Sequence, residues 1–175
     1  MNGAVRGRRL ASPVRVALAI ELGEPLDGAW WPRTSSLARE LPELIDALCG
    51  RLGEIIAISV NWSSLEGSPN LDALNRAWTA DSAEIISHQR LMMVTGSRFS
   101  ANLLVVPSRT SSALAIMVLR QAAMLPVVSI ELDTPEFRAG ADIVRAARAE
   151  SAVCAGRLEV TAFAPATIAD PAIPV

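Results

Sequence analysis

The 175-residue chain has no lysine and no tyrosine, a single histidine, His88, and only two cysteines, Cys49 and Cys154. Each scarcity removes a class of chemistry. Nucleophilic and acid-base catalysis needs a nucleophile, a proton-handling neighbour and donors aimed at developing charge. With these residue types scarce, a general base reduces to a carboxylate or His88. No G-x-S-x-G elbow accompanies that histidine, so His88 reads first as a surface or strand-edge residue. Zinc requires several Cys, His or acidic ligands that converge, and one His with two remote Cys gives no such spacing. There is no D-x-D loop for magnesium or calcium, and no G-x-G-x-x-G or G-x-x-x-x-G-K-[ST] phosphate loop. Gly50-Arg51-Leu52-Gly53 follows a helical pattern, the wrong context for a phosphate cradle. The residues therefore predict no catalytic residue, no cofactor and no metal, with the two cysteines as buried free thiols.

Long apolar runs are also missing. The richest, residues 113–128, is interrupted by Arg120, Gln121 and Pro126, too short and too polar for a spanning helix. The opening MNGAVRGRRL leads into a short alternating segment and not into a signal-peptide core. A cytoplasmic location without membrane partners is the expectation. Formal net charge is −2, which gives the whole molecule no pull towards polyanions. Arg6, Arg8 and Arg9 are expected to form a solvated arm, with weak nucleic-acid contact as a third-ranked reading. Apolar residues make up 51% and charged ones 19%, a composition that folds. At this length one domain buries roughly 70% of the surface its unfolded chain exposes. The apolar excess suggests that some surface is buried against a second subunit.

What the chain does have is Asp27-Gly28-Ala29-Trp30-Trp31-Pro32-Arg33, which holds two of its four tryptophans side by side. On an extended segment neighbouring side chains point to opposite faces, so both indoles cannot enter one core. In one reading they fill two packing layers while Asp27 caps a turn or pairs with Arg33. In the other, an exposed indole beside Arg33 and Asp27 grips a flat ligand or a partner. Asp27, Trp30, Trp31 and Arg33 are the candidate binding residues.

The run LDGAWWPR followed by SLARELPELIDALCGRLG, with LMMVTGSRFSANLLVVPS further on, resembles an actinobacterial family of uncharacterised proteins, a domain of unknown function recognised by a DGAWWPR signature and an xLxxELPxL helix. The likeness spans about residues 14–123. It implies a small α+β domain and carries over no catalytic residue.

Along the chain, residues 14–22 alternate as a first strand. Leu41, Leu44, Ile45, Leu48 and Leu52 recur at helical spacing after the caps Thr34-Ser35-Ser36, and Pro42 suggests that the main helix begins there. Residues 54–60 are apolar on both faces and predict a covered, central strand. Residues 61–75 read as loop, and residues 83–87 as an edge strand. Residues 91–106 around Gly96-Ser97-Arg98 form the clearest hairpin. A helix over 113–124, apolar nearly all round, must be covered on more than one side. A strand over 127–132, a helix from Pro135 with Phe137, Ala141 and Val144 as its apolar stripe, and a last strand over 158–163 complete the pattern.

The expected fold is α+β: a mostly antiparallel sheet of four to six strands, with about three helices, near 36–50, 111–124 and 135–150, packed largely on one face. A single domain over 1–163 is predicted, with 1–12 a mobile arm and 164–175 a frayed tail containing prolines. The expected role is a non-catalytic binding or protein-interaction domain that forms a homo-oligomer through the apolar 113–125 helix or a sheet edge. The alternative is a small-molecule enzyme with a pocket around Trp30, Trp31 and Arg33 and with Asp27 or His88 as base.

Overall fold

The computed structural model describes residues 14–61, 89–127 and 131–162. The expected arm at 1–12, the edge strand at 83–87, His88 and the tail at 164–175 lie outside these residues. The described residues form β1 (Val16–Leu18), β2 (Gly28–Trp30), α1 (Leu37–Leu52), β3 (Ile55–Val60), β4 (Leu91–Gly96), β5 (Ser100–Val105), α2 (Ser112–Ala122) and α3 (Pro135–Ala162). The strands form one sheet in the order β1-β2-β5-β4-β3. Three pairings are antiparallel and β2 runs parallel to β5, so the fold is α+β with a mixed sheet.

Side-chain alternation divides the core into two layers. Trp30, Met92, Val94, Ala101, Leu103 and Val105 point to the face covered by Leu44, Leu48 and Leu52 of α1. Ala29, Trp31, Leu91, Leu104 and Val106 point to the other, covered by Leu114, Ala115 and Val118 of α2 and by Ala139, Ile143, Val144 and Ala147 of α3. Two of the three helices thus share one face and α1 takes the opposite one. The nearly all-apolar α2 is covered twice, by the sheet on one side and by α3 on the other. Of the stripe expected for α3, Val144 is buried while Phe137 and Ala141 are only half-buried, and Ala139, Ile143 and Ala147 complete the packing with Val144.

Helix α1 starts at Leu37 and carries Pro42 within it, where the pattern had placed its beginning. A proline there removes one backbone bond, to the carbonyl four residues earlier. The turn before it is held from outside by Glu40, whose carboxylate accepts from the N–H groups of Arg33 and Thr34. The helix ends at Gly53, whose φ of 82° is a left-handed conformation natural to glycine at this position and whose N–H donates to the Cys49 carbonyl.

Strand β3 is a correction to the sequence expectation. Among the described strands it lies at the sheet margin and not at its centre, and Ile56, Ala57, Ser59 and Val60 are exposed. A register shift between Ile55 and Ala57 leaves Ile56 unpaired with β4, as in a bulge. Residues 131 and 132, expected to end a strand, lie in a helical turn leading to α3. Residues 158–162, expected as a strand, continue α3, since each residue added to an existing helix gains a bond without a new nucleation cost. Asn61 and Gln89 are clasped together by the Glu150 carboxylate, which accepts from Asn61 Nδ2 and from the Gln89 N–H.

At the start of β2 the buried Asp27 carboxylate accepts three backbone N–H groups: Gly23 at 2.8 Å, Glu24 at 3.2 Å and, across the sheet, Asn102 at 2.8 Å. Truncation removes the acceptor of three N–H groups, of which the Asn102 donor inside the sheet is the one least able to turn to water. Asp27→Ala is expected to lower unfolding stability by about 3 kcal/mol, and Asp27→Asn by less because its amide oxygen still accepts. Urea denaturation followed by far-UV circular dichroism measures both; a loss under about 1 kcal/mol for the alanine variant would show that the carboxylate is not what joins these strands.

Candidate functional site

The four candidate binding residues do not gather in one place. Asp27 is buried at the amino end of β2, where it caps the β1–β2 turn. Trp30 is buried under α1. Trp31 is on the opposite face and 7% exposed. Arg33 lies past the carboxyl end of β2 and pairs with Glu43 at 3.9 Å. Of the two roles weighed for Asp27, the turn cap is the one observed, and Arg33 has taken a different carboxylate. The tandem indoles fill two layers of packing, as alternation along an extended strand requires.

Trp31 and Arg33 do share a setting at the carboxyl ends of the parallel pair β2 and β5. A row of residues crosses three adjacent strands there: the Trp31 N–H donates to the Arg15 carbonyl, and the Val106 N–H donates to the Trp30 carbonyl. The Arg15 guanidinium stacks on the Trp31 ring, 3.7 Å from its centroid, and donates to the Pro32 carbonyl at 2.9 Å. Stacking of this kind contributes roughly 0.5–2 kcal/mol according to how dry the contact is. Burial, and after it repulsion from Arg33, push the Arg15 guanidinium down from its ordinary value, while Glu40 partly opposes them. Sequence reasoning missed Arg15 as part of this cluster. The signal available was alternation, which puts Arg15 on the same face as Ala17 and Ala19.

Glu40 completes the arrangement from the first turns of α1. Its carboxylate accepts from the Arg33 N–H at 2.8 Å and from the Thr34 N–H and hydroxyl at 2.6 and 2.8 Å. Partial burial works against its ionised form. The hydrogen bonds from Arg33 and Thr34, with the Arg33 charge, outweigh that and hold the carboxyl below its ordinary value.

A second surface stands out at the far margin of the sheet. Ile56 is 69% exposed and Phe99, in the β4–β5 turn beside the start of β3, is 57% exposed. Val60 and Met93 add to the apolar area. Strand β3, Ile-Ile-Ala-Ile-Ser-Val, contains no charged residue and no proline, the two usual devices that keep an edge strand from pairing.

Cys49 and Cys154 are free thiols and half-buried, more open than expected. Among the described residues no three His, Cys, Asp or Glu side chains form a group able to hold a metal, and no helix is long and apolar enough to cross a membrane.

The Glu40 shift has a definite sign. A depressed folded-state pKa stabilises the fold above the ordinary value near 4.5 and loses that contribution as pH falls through the lower folded value. Glu40→Gln is expected to cost about 1 kcal/mol at neutral pH, discounted for partial exposure. The gap between the variant and the parent should close in acid, as measured by urea unfolding across pH. A gap independent of pH would remove the carboxylate's charge from the account.

Compared with known proteins, residues 15–122 match the model of a family described as "Family of unknown function (DUF5994)". No curated protein and no solved structure matches.

Proposed function

The chain belongs to the DUF5994 family of unknown function, and we propose that it is a non-catalytic, cytoplasmic protein-interaction domain that associates with a second copy of itself through the outer edge of β3. The observation that carries this reading is the uncharged strand at the sheet margin, with Ile56, Val60 and Phe99 exposed around it. A strand in antiparallel register with its own copy about a two-fold axis is self-complementary by construction. Without charges, this one offers no like-charge repulsion to oppose the pairing. The bulge at Ile56 confines regular pairing to residues 57–60, so the backbone supplies few bonds and the apolar side chains must supply the rest of the contact. A stable interface needs roughly 1,000 Å² or more in total, within reach of an edge that also includes Phe99.

The exposure pattern favours the sheet edge over the helix as the surface for self-association. Helix α2 packs most of its apolar side chains against the sheet and α3 and leaves Ile116 exposed, a smaller apolar area than Ile56, Val60 and Phe99 offer together. The buried indoles support packing over gripping for the DGAWWPR segment. The cytoplasmic setting is supported by the two free thiols, which persist in a reducing compartment.

Light scattering in dilute buffer is expected to show a dimer at micromolar concentration. Ile56→Lys combined with Val60→Lys should convert it to a monomer with unchanged far-UV circular dichroism. A parent protein that is strictly monomeric over that range would overturn the proposal, as would a dimer indifferent to both lysines.

A further inference from the structure

Three buried polar side-chain atoms have no hydrogen-bond partner among the described residues: Arg15 Nε, Trp31 Nε1 and Thr110 Oγ1. A buried polar group without a partner costs free energy, and three in one small sheet call for an explanation. They are not scattered. Arg15 and Trp31 are stacked on each other at the carboxyl end of β2. Thr110, 6% exposed, stands in the connection from β5 to α2, four residues beyond Val106, which bonds to β2 beside Trp31.

This end of the sheet is also where its topology reverses. After β2 the chain turns to α1 on one face, and after the neighbouring parallel strand β5 it turns to α2 on the other. In open α/β sheets, ligands bind at the carboxyl ends of adjacent parallel strands whose connections leave in opposite directions, and β2 and β5 have that local arrangement. Helix α2 begins directly after the β5 connection, and its first turn contains no acidic residue, so no carboxylate of that turn offsets the positive end of the helix.

We infer that the connections β2–α1 and β5–α2 form a binding site for a small anion, a carboxylate or phosphate group, received by Arg15 Nε, Trp31 Nε1 and the Thr110 hydroxyl. All three are able to donate, and an oxyanion accepts several donors at once. The charged side chains of the two connections and of the adjoining first turns of α1 are Arg33, Arg39 and Arg109 against Glu40 and Glu43, and Arg15 joins them from the residue before β1. The Glu40 oxygens are engaged by Arg33 and Thr34, and Glu43 faces Arg33, which leaves Arg15 without a carboxylate bonded to it among the described residues. Repulsion between Arg15 and Arg33 is relieved by an anion placed between the connections. Arg15, the half-buried member, is the one able to move to admit it. This site stands apart from the β3 edge and does not depend on self-association.

The test is a titration of the full chain with inorganic phosphate, and separately with acetate, at constant ionic strength against chloride, followed by the Trp31 indole N–H resonance. Trp31→Phe assigns that resonance. A saturable shift at millimolar concentration is expected, and Thr110→Val, which removes the hydroxyl at nearly constant shape, should weaken binding about tenfold. In anion-free buffer Thr110→Val should unfold no earlier than the parent, because the hydroxyl it removes has no bond to lose. Arg15→Gln gives an independent second reading and should weaken binding at least as much. A response to phosphate alone identifies a phosphate ligand, to acetate alone a carboxylate, and to both a general oxyanion site. The inference is overturned if neither anion shifts the Trp31 resonance saturably, or if the shift survives both substitutions, or if Thr110→Val destabilises the free protein.

Discussion

One buried carboxylate holds the two halves of the sheet together. Asp27 lies where the β1–β2 hairpin meets β5, 75 residues along the chain from its partner Asn102. Closing so long a loop costs conformational entropy that local turns do not incur, and parallel pairing offers slightly weaker backbone bonds in return. Asp27 concentrates compensation at that junction. Its side chain binds two N–H groups of the turn and one of β5, while its own N–H donates to the Asn102 carbonyl at 2.8 Å and its carbonyl accepts from Ala19 at 2.7 Å. Five bonds at one residue set the parallel register, and that register places Trp31 beside Val106.

The tandem tryptophans follow from this register and from the pleat. With Gly28 opposite Leu103 and Trp30 opposite Val105, Trp30 faces α1 and Trp31 faces α2 and α3. Each indole anchors one of the two core layers, which explains why a three-residue strand can stand between two helical covers. Aromatic side chains of this size contribute a large part of the apolar area in a small core. The arrangement leaves the Trp31 N–H inside a layer of aliphatic neighbours, where its stack with Arg15 covers the ring but gives the N–H no acceptor.

Much of this was legible in the residues, and the failures share a cause. The 91–106 hairpin, the amphipathic α1 and the apolar α2 are local patterns, and each forms where its spacing indicates. Opposite burial of Trp30 and Trp31 follows from strand alternation alone. Strand β3 was misplaced because Ile-Ile-Ala-Ile-Ser-Val has the composition of a covered strand, and position in a sheet is decided elsewhere, by β5 pairing with β2 and so leaving β3 only the far side of β4. Residues 158–162 have local strand character, overruled by a helix already running from Pro135. The site behaved in the same way. Trp31 and Arg33 were visible as rare residue types, whereas Arg15 and Thr110 join them only through the β1–β2 and β2–β5 pairings, which no spacing in the chain encodes.

The two surfaces of interest are products of one topological choice. Inserting β2 between β1 and β5 gives the sheet a parallel pair, and a parallel pair must send its connections away at one end, where Trp31 stacks with Arg15 and where the connection carrying Thr110 leaves β5. The same choice occupies the inner edge of β5, so the paired strands β3 and β4 lie towards the far margin, with Leu91 their main contribution to the α2–α3 layer. Beyond that residue, Met93 and the outer face of β3 extend past the helical cover. Small α+β sheets usually protect such a margin with charge. Among the described residues, Glu54 stands just before the strand, Glu150 bonds Asn61 just after it, and the Arg98 guanidinium in the turn is directed to the Gly50 carbonyl at the end of α1. The charges around β3 are thus engaged at its two ends, and the strand between them carries none.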